Sequence, residues 1–106
     1  MAICAGNETV GFAMIGYDDE TKSWWIIRFM IDAAQQGRGY GTAALPALIA
    51  LMRERHGCDA ILLGYEPGND VAARLYARVG FVPTGEIEDG EIIARLDLSP
   101  SDSAAT

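Results

Sequence analysis

Cysteine and histidine are both scarce in this sequence. It contains only two cysteines, Cys4 and Cys58, and one histidine, His56. Two widely spaced cysteines do not provide a disulfide framework, and without a C-x-x-C pair or further histidines they do not provide a zinc site. We therefore expect no metal site and two reduced thiols, with Cys4 buried in a strand. We expect His56 to be a surface residue at a helix end.

Positive charge is also in short supply. Eight lysine and arginine residues stand against fifteen aspartate and glutamate residues, which gives a formal net charge of −7. An acidic surface repels phosphate backbones, so nucleic acid is not expected as a partner. The same surface favours cationic partners, amines included.

Long apolar runs are missing as well. No segment approaches the length of a membrane span, and residues 1–16 lack the basic and apolar regions of a signal peptide. We therefore expect a cytoplasmic protein without membrane contact. The chain has 106 residues, of which 50% are hydrophobic, as expected for one globular domain. Residues 1–98 form this predicted domain, and the polar residues 99–106 form a predicted flexible tail.

Hydrophobic patterning alternates between strand-like and helix-like segments. The order β-β-β-α-β-α-β-β predicts an α/β fold with a mixed sheet. The predicted strands are 1–6, 9–17, 23–32, 60–65, 81–87 and 91–98, and the predicted helices are 39–57 and 70–80. The third strand is nearly all apolar, which is typical of a central strand covered on both faces.

Individual residues give local predictions within this pattern. Pro46 falls past the first turn of its helix and should remove a hydrogen bond or bend the axis. Asn69 is a natural N-cap for the second helix, and Asp89 followed by Gly90 is a hairpin turn signal. By alternation along the third strand, Trp24 and Trp25 should face opposite sides of the sheet.

A glycine-rich turn joins the third strand to the first helix. Its sequence, QQGRGYG, spans residues 35–41. A helix N-terminus after a central strand presents free backbone N–H groups and a partial positive charge, and glycines let an anion approach them. Arg38 adds a full charge with a fork-shaped donor. The G-x-G-x-x-G and P-loop patterns are both missing, because Thr42 occupies the third glycine position and no lysine follows. The turn is therefore suited to binding a pyrophosphate, but its sequence argues against an NAD-dependent enzyme and against a nucleoside triphosphatase.

Two motifs resemble the GNAT superfamily of acetyl-CoA-dependent N-acetyltransferases. The turn matches Q-x-x-G-x-G through Gln36, Gly39 and Gly41, and residues 69–81 (NDVAARLYARVGF) match N-x-x-A-x-x-L-Y-x-x-x-G-F. The motifs occur in the family's order with a strand between them. Further segments, including YEPGN, look most like the bacterial diamine and polyamine acetyltransferases.

The resemblance implies a fold and a cofactor site. The fold would be a GNAT-like, mostly antiparallel mixed sheet flanked by helices, with acetyl-CoA between the third and fourth strands. The backbone of the third strand would pair with the pantetheine arm, and the amides of the glycine turn would hold the pyrophosphate. The cofactor-binding residues implied are Phe29, Met30, Ile31, Gln36, Gly37, Arg38, Gly39, Tyr40, Gly41, Thr42 and Asn69.

The resemblance also implies catalytic residues. Tyr76 matches the family's tyrosine near the leaving sulfur and would act as general acid, although its place on an apolar helical stripe also suits a core residue. Glu66 is a candidate general base, directly or through water, and Asp32 is a second carboxylate near the site. The acidic residues of the last hairpin are either a solvated turn or an electrostatic rim for a cationic acceptor; they are Glu86, Glu88, Asp89 and Glu91.

The implied activity is transfer of an acetyl group from acetyl-CoA to a primary amine, such as a small diamine or polyamine. The family's usual N-terminal strand and helices have no counterpart before Met1, so we expect a truncated form with uncovered apolar surface and a homodimer. The alternatives are a CoA-binding module without activity, or an enzyme acting on a protein N-terminus or an amino sugar.

Overall fold

The protein is described by a computed structural model that covers residues 1–98. The predicted tail at 99–106 lies outside the described residues. Strands and helices follow the predicted order, with a short 3-10 turn at Ala33–Gln35 added before the first helix. The elements are β1 (Ala2–Ala5), β2 (Glu8–Asp18), β3 (Ser23–Ile31), α1 (Tyr40–His56), β4 (Ala60–Tyr65), α2 (Asp70–Arg78), β5 (Val82–Glu88) and β6 (Glu91–Asp97).

The strands form one six-stranded sheet in the order β1-β2-β3-β4-β6-β5. All neighbouring strands are antiparallel except β3 and β4, which are parallel. The parallel pair exists because α1 crosses from the end of β3 back to the start of β4, as a crossover helix must. The predicted mixed, mostly antiparallel α/β fold is confirmed.

The parallel strands β3 and β4 pair only over a short stretch. Trp24 is opposite Ile61 and Trp25 is opposite Leu62, and these are the register positions that join the two strands. β3 nevertheless runs on to Ile31 and β4 to Tyr65. Their backbones therefore separate beyond Trp25 and Leu62, and we call this separation the splay. It leaves one edge of β3 without a strand partner next to the glycine turn.

One face of the sheet carries the core. The apolar stripe of α1 buries Leu45, Leu48, Ile49 and Met52 against it. Buried residues from the central strands complete the core: Ala13, Ile26, Ile61, Leu63, Ala94 and Leu96. The helix ends at Gly57 in the left-handed conformation, where the Gly57 N–H donates to the carbonyl of Arg53 at 3.0 Å. The predicted end of this helix at residue 57 is therefore confirmed, and Pro46 lies inside the helix.

The opposite face of the sheet, which we call the second face, is largely uncovered. Phe12 and Met14 of β2 are 41% and 42% exposed, and Ile27 and Met30 of β3 are 59% and 47% exposed. The prediction that β3 is covered on both faces is wrong for the described residues. Leu75 of α2 packs against the same core as α1, so both helices cover the first face.

The first face also has an apolar groove beside α1. Its volume is about 430 Å³, and it lies between the β1–β2 edge and the helix, with Ile3, Phe29, Ala47 and Leu51 among its walls. An uncovered groove of this kind is the apolar surface on which the expectation of a homodimer depends. The dimer itself stays a prediction.

The two cysteines differ in environment. Cys58 is 5% exposed and packs in the core after α1, whereas Cys4 is exposed. The prediction of a buried Cys4 is wrong, because β1 is a short edge strand in which Ile3 and Ala5, not Cys4, turn toward the interior. Both thiols are free, as expected.

Candidate functional site

A cleft of about 880 Å³ lies between the end of β3, the glycine turn, the start of α1 and one side of α2. It brings together most of the residues that the sequence predicts for the cofactor site. The predicted residues that line it are Phe29, Met30, Ile31, Gln36, Gly37, Gly39, Tyr40, Gly41, Thr42, Asn69 and Tyr76. Arg38 lies within the turn, but its side chain is exposed and is not part of the lining.

The glycines of the turn serve different purposes. Gly37 and Gly39 have φ angles of 84° and 82°, a left-handed conformation in which other residues are strained. Gly41 has no such angle, and a Cβ built on it would lie 3.6 Å from Leu75, an ordinary van der Waals distance. Neither backbone conformation nor packing within the protein therefore requires glycine at position 41. Because Gly41 lines the cleft, its missing side chain leaves room for a ligand to approach the backbone.

The N-terminus of α1 faces this cleft without a side-chain cap. Gly39 is its N-cap and supplies no side-chain hydrogen bond. The N–H groups of Tyr40, Gly41 and Thr42 belong to the first turn of the helix, whose amides have no intrahelical acceptor. They point out of the positive end of a 17-residue helix. This arrangement can hold a phosphate or pyrophosphate.

Two glutamine side chains fix the turn that precedes α1. Gln36 Nε2 donates to the carbonyl oxygen of Ile31 at 3.0 Å, which ties the turn to the end of β3. Gln35 Nε2 donates to Glu8 Oε2 at 3.0 Å, which ties it to β2. Gln36 therefore acts on the cleft by positioning the turn.

The cleft contains a cation that the sequence reasoning missed. Arg78, in the last turn of α2, lines it together with Val71 and Leu75. The spacing of these residues places them on one face of the helix, so the pattern i, i+4, i+7 could have indicated Arg78. Arg78 can supply a second positive charge toward a phosphate-bearing ligand.

Tyr76 lines the cleft and packs against two other aromatic rings. Its ring centroid lies 5.7 Å from that of Tyr65 and 5.9 Å from that of Phe81. Burial raises the pKa of the Tyr76 phenol, and the negative charge of Glu91 raises the pKa further. Tyr76 is therefore protonated at neutral pH and can donate a proton.

Asn69 combines a structural contact with a place in the cleft. Its Oδ1 accepts a hydrogen bond from the N–H of Ala72 at 3.2 Å, which confirms the predicted N-cap of α2. The other predicted polar residues nearby are not brought into the cleft. Glu66 and Asp32 are exposed, and neither lines the cleft.

A separate cavity of about 370 Å³ lies on the second face, beside the splay. Trp25 and Ile27 of β3 and Gly64 of β4 form part of its wall. Trp24, by contrast, packs against the core, so the predicted opposite orientation of the two tryptophans is confirmed. The cavity thus lies on the face of the sheet opposite to α1 and α2.

Acidic residues surround this second-face cavity. Glu88, Asp89 and Glu91 from the β5–β6 hairpin line it together with Asp18 of β2, whereas Glu86 does not. The hairpin turn itself is as predicted, since Asp89 and Gly90 both have positive φ. The cavity is therefore suited to positively charged or protonatable groups.

The fold, the glycine turn and the cleft agree with a comparison against known families. Residues 1–81 match the model of the Acetyltransferase (GNAT) family, and the chain belongs to that family. Among curated proteins, it is 41% identical over 99 residues to a spermine/spermidine N(1)-acetyltransferase of Bacillus subtilis strain 168. That alignment covers 87% of this chain, and the chain spans 65% of the relative's length. The family predicted from the two motifs is confirmed.

Solved structures show the same fold. A Bacillus subtilis acetyltransferase in complex with CoA matches with a TM-score of 0.77 at 19% identity, over 91% of this chain and 74% of that one. A PaiA N-acetyltransferase of Thermoplasma acidophilum in complex with coenzyme A matches with a TM-score of 0.74 at 16% identity. This match covers 89% of this chain and 57% of that one. At these identities the likeness concerns the fold.

Two further observations apply to residues 1–98. Neither helix in that range is both long and apolar enough to span a membrane. In the same range, His, Cys, Asp and Glu side chains form no group of three or more suited to a metal ion.

Proposed function

We propose that this chain binds acetyl-CoA in the cleft and transfers its acetyl group to a primary amine, a small diamine or polyamine. The observation that carries the proposal is the uncapped N-terminus of α1 with Gly41 opening onto the cleft. A glycine that neither the backbone conformation nor the packing requires is explained by a ligand that lies against the main chain. Family membership and the CoA complexes of two structural neighbours support the choice of ligand.

The residues of the cleft fit the parts of CoA. The amides from Gly37 to Thr42 would hold the pyrophosphate, with Arg38 and Arg78 as charged partners. The free edge of β3 at Phe29, Met30 and Ile31 would pair with the amides of the pantetheine arm as an added strand does. Asn69 would contribute its side-chain amide while it caps α2.

Acetyl transfer to an amine places defined demands on the protein. Acetyl-CoA supplies the acetyl group as an activated thioester. A backbone N–H at the splay would stabilise the negative charge that develops on the carbonyl oxygen. Tyr76, protonated at neutral pH, would donate a proton to the departing sulfur. Glu66 remains a candidate base from the sequence, and because its exposed side chain lies outside both cavities it would act only through water.

The acceptor class is supported by two independent observations. The Bacillus subtilis relative is named a spermine/spermidine N(1)-acetyltransferase and is 41% identical over the aligned residues. The second-face cavity beside the splay is bordered by carboxylates, which favour an amine over a neutral acceptor.

Release of free thiol from acetyl-CoA tests this function. The purified chain is incubated with acetyl-CoA and spermidine, 1,4-diaminobutane, n-butylamine, a peptide with a free N-terminus or glucosamine. We expect thiol release with spermidine and the diamine above the rate without acceptor. Release with only the peptide or the amino sugar would contradict the acceptor class. Binding of acetyl-CoA without release for any acceptor would favour a CoA-binding module.

A further inference from the structure

The side chain of Glu91 lies against the β4 backbone at Gly64, where the strand carries no side chain. Its Oε1 is 2.6 Å from the position that a Cβ would occupy on Gly64. In the β4–β6 register Gly64 is opposite Ile93, and Glu91 is two residues away on the same side of β6. The carboxylate can rest on the strand there only because residue 64 has no side chain.

This contact lies at the splay. Gly64 comes two residues after Leu62, the last residue of β4 that pairs with β3. On the first face of the sheet, Tyr76 lines the cleft near the same point, and the charge of Glu91 contributes to the raised pKa of its phenol. Glu91 is thus the hairpin carboxylate that is electrostatically coupled to Tyr76.

The second-face cavity has the shape and polarity to receive an amine beside Glu91. The indole of Trp25 and the side chain of Ile27 provide an apolar wall, as is typical of ligand pockets. The Nε1 of Trp25 is buried and, among residues 1–98, has no hydrogen-bond partner. A buried N–H donor of this kind is normally satisfied by an acceptor, and a water oxygen or the lone pair of a neutral amine would satisfy it, whereas an ammonium group would not.

We propose that Glu91 is the acceptor-binding carboxylate, which receives the reacting amino group of a diamine or polyamine at the splay. The second ammonium group of the acceptor then lies in the second-face cavity among Asp18, Glu88 and Asp89. This inference rests on the proposed function, because it assigns the acceptor side of the same reaction. From the sequence, Glu66 was the candidate general base, and Glu91 was only one of four hairpin carboxylates in a possible electrostatic rim.

The geometry favours Glu91 over the other acidic residues. Glu66 and Asp32 line neither cavity. Asp18, Glu88 and Asp89 line the cavity, but Glu91 alone among these carboxylates contacts the strand that borders the splay at Gly64. Reaction at one amino group and anchoring at another require carboxylates at different positions, and Glu91 is the one that lies against Gly64, beside the splay.

Four variants test this assignment: Glu91→Gln, Gly64→Ala, Glu91→Asp and the control Glu86→Gln. Glu91→Gln removes the charge while it keeps the shape. Gly64→Ala keeps the charge but places a methyl group 2.6 Å from the present position of the Glu91 Oε1 and 3.3 Å from Glu91 Cβ and Ile93 Cδ1, so the carboxylate must move aside. Glu86→Gln is the matched control, since Glu86 carries the same charge on the same hairpin outside the cavity.

The measurement is calorimetric binding of 1,4-diaminobutane and n-butylamine to each protein saturated with CoA, which cannot turn over. We expect the wild type to bind the diamine tenfold or more tightly than the monoamine. Glu91→Gln and Gly64→Ala should each weaken diamine binding about tenfold and leave acetyl-CoA binding unchanged, whereas Glu86→Gln should stay within twofold of the wild type. Melting temperatures confirm that each variant is folded, and Glu91→Asp should recover part of the binding.

Two results would overturn the inference. One is diamine binding that is unchanged in both Glu91→Gln and Gly64→Ala, and the other is no diamine binding by the wild type at millimolar concentration. The thiol-release assay distinguishes this failure from that of the proposed function. If thiol release is unaffected in both variants, the proposed function holds but Glu91 is not part of it. If diamine binding depends on Glu91 but no thiol is released with any acceptor, the acceptor site holds and the proposed function is contradicted.

Discussion

The backbone N–H of Ala43 donates to the carbonyl oxygen of Gly39 at 3.1 Å, and this bond closes the first turn of α1. The amides of Tyr40, Gly41 and Thr42 lie before it and remain available to a ligand. Because the cleft is lined by the same three residues, the helix dipole and three donors converge on one place. We infer that this turn binds the pyrophosphate of acetyl-CoA, and this is the central claim of the proposed function.

Replacing Gly41 by alanine should separate stability from cofactor binding. A Cβ at this position meets only ordinary contacts, and alanine favours a helix over glycine, so the variant should be as stable as the wild type or more stable by up to about 1 kcal/mol. The methyl group should hinder the approach of the pyrophosphate and weaken acetyl-CoA binding tenfold or more. Urea unfolding and calorimetric titration measure the two effects. Unchanged acetyl-CoA affinity would contradict close approach at Gly41.

Arg78→Ala should weaken acetyl-CoA binding. Arg78 lines the cleft, and loss of one charge-assisted contact to a phosphate corresponds to about tenfold in Kd. The salt dependence of binding should decrease as well, because one ion pair is lost. Arg53→Ala is the control, since Arg53 is an exposed cation at the far end of α1. Equal effects of both substitutions would mean that only overall charge matters.

Tyr76→Phe should slow turnover far more than it weakens binding. The ring contacts with Tyr65 and Phe81 remain in phenylalanine, while the proton donor is lost. We expect kcat to fall about 100-fold, in the range of general acid catalysis, with the KM for acetyl-CoA nearly unchanged. Steady-state kinetics with spermidine measures both. A parallel loss in kcat and in acetyl-CoA affinity would indicate that Tyr76 serves packing.

Asn69 substitutions should distinguish its cap from its contact with the cofactor. Asn69→Ala removes the acceptor of the Ala72 N–H and should cost about 1 kcal/mol of unfolding free energy. Asn69→Asp restores that acceptor and the stability, but not the side-chain N–H donor. Acetyl-CoA affinity should therefore stay low in Asn69→Asp, as measured by titration beside thermal unfolding. If Asn69→Asp restores acetyl-CoA affinity together with stability, Asn69 acts only as the N-cap of α2.

The free energy of unfolding should fall at alkaline pH. Burial raises the pKa of the Cys58 thiol above its ordinary value of 9.0, with a smaller upward contribution from Asp59, and the pKa of Tyr76 is raised above 10.0. Both groups hold their protons more tightly when folded, so their contribution is fully present below about pH 9 and is lost as the pH rises through the folded pKa values. Cys58→Ala should give a shallower decline in urea unfolding between pH 8.5 and about 10.5. An equally steep decline in both proteins would contradict the contribution of Cys58.

Local patterns in the sequence were sufficient for much of the fold and the cofactor side. The end of α1 at Gly57, the cap at Asn69 and the hairpin turn at Asp89 and Gly90 depend on neighbouring residues and were confirmed. Two sequence motifs predicted most of the residues that line the cleft, and in the structure both motifs contribute residues to that lining.

Other features depend on contacts between distant segments. The exposure of Cys4 follows from the edge position of β1, and the uncovered second face of β3 follows from both helices packing on the first face. The contact of Glu91 with Gly64 is set by the β4–β6 register, which no local pattern specifies. For this reason the sequence pointed to Glu66, the carboxylate that directly follows β4 along the chain, as the candidate general base.

Amide chemical shifts during an acetyl-CoA titration test the central claim most directly. In a 15N-labelled sample, we expect the largest shifts at Gly37, Gly39, Tyr40, Gly41 and Thr42, with saturation at micromolar to low millimolar ligand. The amide of Gly57, at the opposite end of α1, should shift little and is the internal control. No shift in the turn at millimolar acetyl-CoA, or shifts of similar size at Gly57, would contradict pyrophosphate binding at the N-terminus of α1.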